Sequence, residues 1–473
     1  MKRSLISIIT CLLLIWVNVK FTAQLNWKNV YAGTEFSMAL KSDSTLWSWG
    51  FNGNGQLGLG HKNLSNVPAQ INSSIKWIGA DVGAIHAAAI AGDGSLWSWG
   101  LNGNGQLGLG NTTEYSSPQK LGTDTDWAQI TAGQVHCLAL KQDSSLWAWG
   151  YNGTGAAGIE TPSDVFSPVE IIPGTKWLTA SAGGYHSLGV DEYGNLWAWG
   201  DNGTFQLGNP SLSQSFIPTL ISDSGDWVEV SAGFQYSLAM KSDSTIWSWG
   251  FNGNGQLGQG TNSLVKSPAK IGEFHDWVKI YAGASFSFGI RKDGSVWGWG
   301  FNSFGQLGTG DITQKTSPVL IQGIENVVAI APAKGLYYGG SVYGIHTLML
   351  TEHAESICVA GSNYTGQLGT GNTGGNIYNF ECSVGMITDV QNPVLTEENV
   401  IVFPNPVFDL LRYRCNSVPL GFEVYDFHGN LIRKEKMPEM IGAIDFSDIP
   451  EGIYLTKFTF SDGMVIKKVI KTE

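Results

Sequence analysis

Histidine is the side chain best suited to metal binding or general acid–base catalysis near neutral pH, and four histidines recur here in one sequence context. They are His86, His136, His186 and His346. In the other three copies of that context the position is aromatic: Phe36, Tyr236 and Phe286. One zinc ion needs all its ligands at about 2.1 Å, which equivalent positions in separate copies do not reach. The pattern therefore predicts a packing role and no metal site.

Other patterns that could carry chemistry are missing or weak. The sequence lacks the G-x-S-x-G, H-E-x-x-H and P-loop patterns. The glycine-rich stretch NGNGQLG precedes no predicted helix, so it does not cradle phosphate in the Rossmann manner. Five aspartates in turn sequences lack the ligand density of a calcium loop: Asp43, Asp93, Asp143, Asp243 and Asp293. We predict no catalytic residue, no bound metal and no cofactor.

The elements that carry these residues belong to a long internal repeat. The stretch LWSWGFNGNGQLGLG, residues 46–60, returns with small changes, and a degraded seventh copy begins at Cys358. Its Trp-Gly pairs are spaced by 50 residues, at Trp49, Trp99, Trp149, Trp199, Trp249 and Trp299. A fixed period of this length is typical of a repeat architecture.

Each repeat predicts four β-strands joined by turns. A short strand such as KNVYAG precedes an alternating strand such as HCLAL, and the LWSWG strand and a proline-marked strand such as SPQKL follow. Four antiparallel strands per unit, seven times over, describe an all-β, seven-bladed β-propeller spanning residues 24–390. A single blade cannot bury its aromatic face alone, so the tryptophans are predicted to pack between blades.

Composition and charge narrow the classes of partner. Charged residues make up 14% of the chain, aromatics 12%, and the formal net charge is −12. An acidic chain argues against nonspecific binding to nucleic acid or to an anionic membrane, because phosphate neutralisation needs clustered Lys and Arg. We predict no nucleic-acid partner.

The first residues predict a secretory signal peptide, residues 1–23. Lys2 and Arg3 precede an apolar run from Leu5 to Val19 that is short for a membrane span, and cleavage is expected after Ala23. Cys11 raises a lipoprotein alternative, but the apolar run continues past it. No other stretch is apolar for long enough to span a bilayer, so the mature chain is predicted to lack a transmembrane segment.

The pattern A-G-x-x-H-x-x-A-L, then D-G-x-L-W-x-W-G-x-N-x-x-G-Q-L-G-x-G and a proline, resembles the regulator of chromosome condensation repeat family. The resemblance covers Trp27 to about Val390 and implies a seven-bladed β-propeller. The founding eukaryotic protein exchanges nucleotide on a small GTPase and binds chromatin, which does not suit an exported, acidic chain. Other secreted members resemble protein-binding inhibitors, including those that bind β-lactamases, so the family implies a binding surface as readily as an activity.

The seventh repeat departs from the others. Val327 replaces its first tryptophan, and the segment KGLYYGGSVYGI, residues 334–345, is ten residues longer than in the other copies. It carries Tyr337, Tyr338 and Tyr343. Such an aromatic, glycine-rich insertion is either a binding loop or a patch over the seam where the ring closes.

Four cysteines remain after the signal peptide, and none has metal-ligand spacing such as C-x-x-C. Cys358 and Cys382 lie in the same repeat, where export permits a disulfide; two buried free thiols are the alternative. Cys137 lies within the apolar strand HCLAL and is expected to be a packed thiol.

The positions expected to carry function are those that vary while the repeat around them is constant. Two residues after each Ala-Gly pair change freely, and in a propeller they would surround one end of the channel. The predicted binding ring comprises Glu35, Ile85, Val135, Tyr185, Phe234, Gln235, Tyr337, Tyr338 and Tyr343. Its apolar and aromatic members suit a binding surface, and neutral drift at loop positions is the alternative.

After a predicted linker, residues 391–399, the chain from Val400 to Glu473 predicts a small β-sandwich. This tail resembles the C-terminal sorting domain of the type IX secretion system. The residues that carry the resemblance are Pro404, Asn405, Pro406, Tyr425, Asp426, Gly429, Gly452, Ile453, Tyr454, Leu455, Lys467 and Lys468. The resemblance implies the secretion machinery as a partner and release or surface attachment on a Gram-negative cell.

The leading hypothesis is a monomeric, secreted or surface-displayed binding protein that presents one propeller face to a protein or glycan. A glycan lyase or hydrolase with a site at the channel mouth is the second hypothesis. Against it, Glu35 is the one carboxylate among the variable loop residues, whereas glycoside hydrolases usually use two. An inert structural module of a surface layer is the third.

Overall fold

The computed structural model describes residues 26–338, 341–352, 356–384, 400–403, 405–415, 418–426, 431–436, 439–460 and 463–472. The predicted signal peptide and the linker at 391–399 lie outside these ranges. The chain divides into two compact units, Met1–Met386 and Ile387–Glu473. The predicted all-β fold, a seven-bladed propeller followed by a β-sandwich, is confirmed.

The first four blades are four-stranded antiparallel sheets whose strands follow one another in sequence. Blade 1 is β1 (Trp27–Ala32), β2 (Phe36–Lys41), β3 (Leu46–Gly50) and β4 (Ser65–Ile71). Blade 2 is β5 (Trp77–Val82), β6 (His86–Ala91), β7 (Leu96–Gly100) and β8 (Tyr115–Lys120). Blade 3 is β9 (Trp127–Ala132), β10 (His136–Lys141), β11 (Leu146–Gly150) and β12 (Val165–Glu170). Blade 4 is β13 (Trp177–Ala182), β14 (His186–Asp191), β15 (Leu196–Asp201) and β16 (Gln214–Ser222).

The last three blades follow the same order, with one hairpin inserted in blade 7. Blade 5 is β17 (Trp227–Ala232), β18 (Tyr236–Lys241), β19 (Ile246–Gly250) and β20 (Val265–Lys270). Blade 6 is β21 (Trp277–Ala282), β22 (Phe286–Arg291), β23 (Val296–Gly300) and β24 (Lys315–Leu320). Blade 7 is β25 (Val327–Pro332), the hairpin β26 (Leu336–Tyr338) and β27 (Ser341–Tyr343), then β28 (His346–Thr351), β29 (Ile357–Ser362) and β30 (Asn376–Val384).

The repeated motif shapes each blade through local hydrogen bonds. In the hairpin turn between β2 and β3, Asp43 Oδ1 accepts from the backbone N of Thr45 at 3.0 Å and from its hydroxyl at 2.6 Å. In the loop after β3, buried Asn52 accepts from the backbone N of Leu57 at 3.0 Å and donates to two backbone carbonyls further along. The turn aspartates and the NGNGQLG stretch, which recur from blade to blade, therefore have a structural role. They form hydrogen bonds with backbone groups that tight loops would otherwise leave unpaired.

Tryptophans fill the seams between blades. Trp77 and Trp99 are fully buried, and Trp77 packs against Trp99 and against half-buried Trp97, with ring centroids 6.1 and 6.2 Å apart. Trp99 Nε1 donates to the backbone carbonyl of Gln56 in blade 1 at 2.9 Å. The same bond recurs at every seam from blade 1 to blade 6, so each indole is shared by two neighbouring blades.

The ring closes without exchanging a strand, since each sheet is built from one continuous segment. Trp49 of blade 1 donates to the carbonyl of Gln367 in blade 7 at 2.9 Å, which is the same bond as at the other seams. Blade 7 has Ala360 in place of the second tryptophan, and there Thr347 Oγ1 donates to the carbonyl of Gln306 at 2.8 Å. Serine hydroxyls make the same bond beside the tryptophan in four other seams, so blade 7 keeps the hydroxyl bond and lacks the indole bond.

Blade 7 also contains a disulfide. Cys358 in β29 is paired across the sheet with Cys382 in β30, and their sulfurs are bonded. Cys137 and Cys415 are buried free thiols. The disulfide joins the outer strand to a blade that lacks the tryptophans of the other six, where the aromatic contribution to packing is smaller.

The second unit has two sheets. One has the order β31 (Val400–Phe403), β32 (Leu410–Cys415) and β35 (Ile441–Asp445). The other has the order β34 (Leu431–Glu435), β33 (Gly421–Asp426), β36 (Gly452–Phe460) and β37 (Gly463–Lys471). Side chains from both sheets, including Leu411 and Phe458, form one buried cluster, as in a β-sandwich. Among the described residues, no helix is long and apolar enough to cross a membrane.

Replacing Trp249 with alanine should destabilise the propeller by about 3–5 kcal/mol, because it empties a seam and leaves the Gln206 carbonyl with the Ser237 hydroxyl as its remaining donor. Trp247→Ala in the same strand should cost clearly less, since Trp247 is half-buried. Urea unfolding followed by circular dichroism measures both. Equal losses for the two variants would contradict the assignment of Trp249 as the seam residue.

Candidate functional site

The first strands of the seven blades surround a central channel with a cavity of about 490 Å³. Its wall is largely polar because the side chains that point inward from these strands are polar in most blades. They include Asn29, Tyr31, Asp81, Gln129, Thr131, Thr179, Ser181, Glu229, Ser231, Lys279 and Tyr281. A cavity of this size is within the ~300–1,000 Å³ typical of small-molecule sites.

The two ends of the channel differ. We call the end that carries the turns between first and second strands and the loops after the third strands the loop face. The end that carries the hairpin turns between second and third strands is the hairpin face. The predicted binding ring belongs to the loop face, and the turn aspartates belong to the hairpin face.

Hydrogen bonds between neighbouring first strands tighten the channel wall. Asp81 Oδ2 accepts from the backbone N of Ala132 in the next blade at 2.9 Å. The hydroxyls of Ser181 and Ser231 accept from the following blades in the same way, at 3.0 and 2.9 Å. A short side-chain acceptor at this position therefore serves the ring itself, and it remains accessible from the channel.

Two ion pairs lie in the channel. Lys334 of blade 7 forms one with Asp81 of blade 2 at 2.6 Å, and its ammonium also donates to the carbonyl of Ala132 at 2.6 Å. Lys279 forms the other with Glu229, at 2.9 Å. Burial raises the pKa of Glu229, and the Lys279 ammonium opposes that rise. Each of the four charges thus has an opposite charge beside it.

Lys334 closes the channel at the loop face. Its backbone N donates to the carbonyl of Ala32, while its side chain extends across the opening to blades 2 and 3. Between Lys334 and blades 3 to 6, where Gln134 and Phe234 lie, the space is about 10 Å³. Among the described residues, the predicted ring therefore surrounds the end of the channel that Lys334 closes.

The described members of the predicted ring are half-buried on the loop face: Glu35, Ile85, Val135, Tyr185, Phe234 and Gln235. The structure brings Tyr185 and Phe234 together, with ring centroids 6.2 Å apart. Burial raises the pKa of the Glu35 carboxyl. Tyr337, Tyr338 and Tyr343 lie in the β26–β27 hairpin, but their side chains are outside the described part of the structure.

A second set of loop-face residues was not predicted. These half-buried side chains directly follow the Trp-Gly pairs, and they are Phe51, Leu101, Tyr151, Phe251 and Phe301. The Tyr151 ring lies 5.5 Å from that of Tyr185. A Cβ on Gly53 would lie 2.5 Å from the Phe51 ring, so the glycine lets this ring lie close over the loop. An apolar residue directly before a glycine-rich loop was the available signal.

The four histidines are fully buried in the seams. His136 Nε2 lies 2.8 Å from the hydroxyl of Ser187 in the next blade, and that hydroxyl donates to the carbonyl of Ala156. Because the hydroxyl hydrogen is already used, His136 donates from Nε2 to the Ser187 oxygen. Burial lowers the pKa of each of the four histidines to about 3. They bridge blades, as their packing role predicted.

One pair has the composition of a nucleophile and its base. His86 Nε2 lies 3.2 Å from Cys137 Sγ, and both side chains are fully buried. Burial raises the pKa of the Cys137 thiol and lowers that of His86 to about 3. The reactive form of such a pair is the thiolate with a protonated imidazole, and burial disfavours both charges. Cys137 takes the place that Ser37, Ser187, Ser237 and Ser287 have in four other seams.

In the second unit, the residues that resemble a sorting domain connect its first segment to its last strands. Asn405 donates from Nδ2 to the carbonyl of Lys468 at 2.8 Å and accepts from the backbone N of Ile470 at 2.9 Å. Tyr454 donates to the carbonyl of Pro450 at 2.8 Å. Gly452 begins β36, and Lys467 lies in β37 beside Lys468. Pro406 follows Asn405, while Pro404 and Gly429 are outside the described residues.

Comparison with protein families identifies both units. The profile of the RCC1-like domain matches residues 16–288, and profiles of the regulator of chromosome condensation (RCC1) repeat match residues 277–306 and 293–333. The profile of the secretion system C-terminal sorting domain matches residues 401–472. Comparison with curated proteins gives no match.

Solved structures share the propeller. Human WBSCR16 is 20% identical, with a TM-score of 0.63 over 72% of this chain and 93% of its own. Prp20p from Saccharomyces cerevisiae is 19% identical, with a TM-score of 0.62 over 80% of this chain and 90% of its own. At such identities the likeness concerns the fold alone.

Stability should decrease as the pH falls below about 6.5, because the unfolded histidines bind protons there while the folded ones do so only near pH 3. Each buried histidine should lower the unfolding free energy by about 2 kcal/mol between pH 8 and pH 5. His186→Phe introduces the residue found at the equivalent position Phe286, and it should remove the pH-dependent contribution of one histidine. Urea unfolding at several pH values measures the slope, and an unchanged slope in His186→Phe would contradict the neutral, buried assignment.

Proposed function

The chain belongs to the RCC1-like domain family, and from this premise we propose that its propeller is a binding module whose loop face recognises a protein or glycan outside the cell. The type IX sorting domain indicates a secreted or outer-membrane-attached protein of a Bacteroidetes-type bacterium. Its partner in export is the secretion machinery. Recognition of an extracellular protein or glycan by the loop face is the part that we propose.

The observation that carries the proposal is an aromatic cluster on the loop face. Tyr185 of blade 4 contacts Tyr151 of blade 3 and Phe234 of blade 5 edge to face, and all three side chains are half-buried. The seams are filled by the tryptophans, so these three rings are additional to the core. Rigid tyrosine and phenylalanine side chains at a surface are typical of the central contacts of protein and glycan interfaces.

Several contacts favour binding over catalysis. Two carboxylates act electrostatically on Tyr151, but both are engaged in their own loops. Asp164 accepts from the backbone N of Asn152 and from the side chain of Asn104, and Asp201 accepts from Gln206 Nε2 at 2.6 Å. With the loop-face end of the channel closed by Lys334, these groups do not converge on a ligand-sized cavity there. This supports a flat recognition surface over a glycosidase cleft.

One protein of similar fold is known to bind other proteins, but the likeness does not identify a partner for this chain. Prp20p is described by its binding to Gsp1p and histones. The formal net charge of −12 argues against a nucleic-acid partner, and a fold shared at 19% identity does not transfer the binding of Gsp1p or histones to this chain. The chemistry of the loop face instead suits a partner with exposed apolar or sugar-ring surfaces.

The loop-face proposal is tested by Tyr151→Ala combined with Tyr185→Ala. We expect this variant to lose at least tenfold in affinity for partners that the wild-type protein captures from culture medium or from a glycan array, because two central contacts are removed. Tyr193→Ala is the matched control, since Tyr193 is 72% exposed in the hairpin turn of blade 4 on the opposite face. Equal capture by the wild type and the double variant would refute the proposal.

Deletion of residues 400–473 should leave the propeller in the periplasm, because the tail is the part recognised for outer-membrane passage. Cell fractionation with a propeller-specific antibody measures this. Asn405→Ala, which removes both side-chain bonds to the backbone of β37, should give a partial defect. Normal surface delivery of the truncated chain would be incompatible with a sorting role for the tail.

A further inference from the structure

The channel is open to solvent at the hairpin face. Gln129 and Lys279 line the cavity and are exposed, whereas the opposite end is closed by Lys334. A second space of about 270 Å³, lined by Ile78, Gln129 and Tyr31, adjoins this end. The channel is therefore a blind well that is entered from the hairpin face.

An apolar ring surrounds this entrance. The residue after the first tryptophan of each blade, or after Val327 in blade 7, lies at the hairpin-face end of the innermost strand. In five blades it is a large aliphatic side chain between 42% and 55% exposed: Ile78, Leu178, Val228, Val278 and Val328. We call these five residues the collar. The other two positions are Lys28 and Ala128.

A local irregularity repeated in each blade places the collar. The pairing of first and second strands shifts by one residue at this point, as between Trp177 and Thr179. Such a bulge leaves the extra residue out of the alternating pattern and turns it from the core toward solvent. Exposed aliphatic side chains at one equivalent position in five blades form a recurring apolar surface around one opening.

Among the described residues, the wall of the well offers hydrogen bonds, and its four charged side chains are paired with one another. The carboxylates of Asp81 and Glu229 are paired with Lys334 and Lys279. Within the described residues, the side chains of Gln129 and Thr179 have no protein partner and face the cavity. A charged ligand would have to disrupt an ion pair in a partly buried site, which leaves a charge uncompensated. A neutral ligand with hydroxyl groups would satisfy the free groups directly.

We propose that this channel binds a non-ionic amphiphile, with a hydroxylated head group such as a sugar in the well and an alkyl chain on the collar. A purely polar ligand would leave the collar in water, and a purely apolar one would cover the polar wall without hydrogen bonds. The order of polar well and apolar entrance matches the order of head and chain in such a molecule. This site is separate from the loop face and does not depend on its function.

The test uses the full mature protein and octyl glucoside below its micelle concentration, followed by isothermal titration calorimetry. We expect saturable binding of one molecule per chain. Glucose, which lacks the chain, and octyl sulfate, which carries a charge, should each bind at least tenfold more weakly. Octyl sulfate also probes Lys28, the charged residue at the entrance: binding as tight as that of octyl glucoside would overturn the neutral head group.

Matched variants separate the site from general detergent binding. Leu178→Ser on the collar and Gln129→Leu in the well should each weaken octyl glucoside binding at least fivefold. Ile217→Ser is the control, because Ile217 is 53% exposed on the outer strand of the same blade as Leu178, which is 55% exposed. Absence of saturable binding, equal binding of glucose and octyl glucoside, or equal affinity in all three variants would each overturn the proposal.

Discussion

The structure depends on a buried indole shared between each pair of neighbouring blades. Trp99 fills the seam between blades 1 and 2 and donates to the Gln56 carbonyl. The hydrogen bond contributes about 1 kcal/mol, whereas burial of the ring contributes about 3–5 kcal/mol relative to alanine. Packing therefore stabilises the seam, and the directional bond sets how far each blade is rotated against the next.

Seam packing also explains why the ring closes without strand exchange. Trp49 meets the Gln367 carbonyl as any other seam tryptophan meets its acceptor, and His346 meets the Ser37 hydroxyl at 2.9 Å. The seventh blade supplies the acceptors for blade 1 but has lost its own tryptophans. That blade retains the Thr347 hydroxyl bond, which equivalent serines make in other seams, and it adds the Cys358–Cys382 bond. The seventh blade can diverge without opening the ring. It has lost the indole bond that it would donate to blade 6, but the Gln367 carbonyl still accepts the indole bond from blade 1.

The blades could be predicted from the sequence because a period of 50 residues with alternating strands specifies contacts within each repeat. The packing role of the histidines could also be predicted, because aromatic residues replace them in three copies. The closed loop-face end was not predictable, since Lys334 reaches Asp81 across 253 residues of sequence and no local pattern encodes that reach. The collar was hidden for another reason: after Trp177, alternation would bury Leu178 or expose it depending on a one-residue shift in pairing.

These contacts determine where a propeller of this kind can acquire function. A seam residue such as Trp249 touches two blades, so its replacement destabilises both, and even the histidine position changes only to Phe or Tyr. Loop-face residues such as Tyr185 and collar residues such as Leu178 lie outside the buried seam clusters and remain partly in solvent. Their side chains can therefore vary without opening the ring.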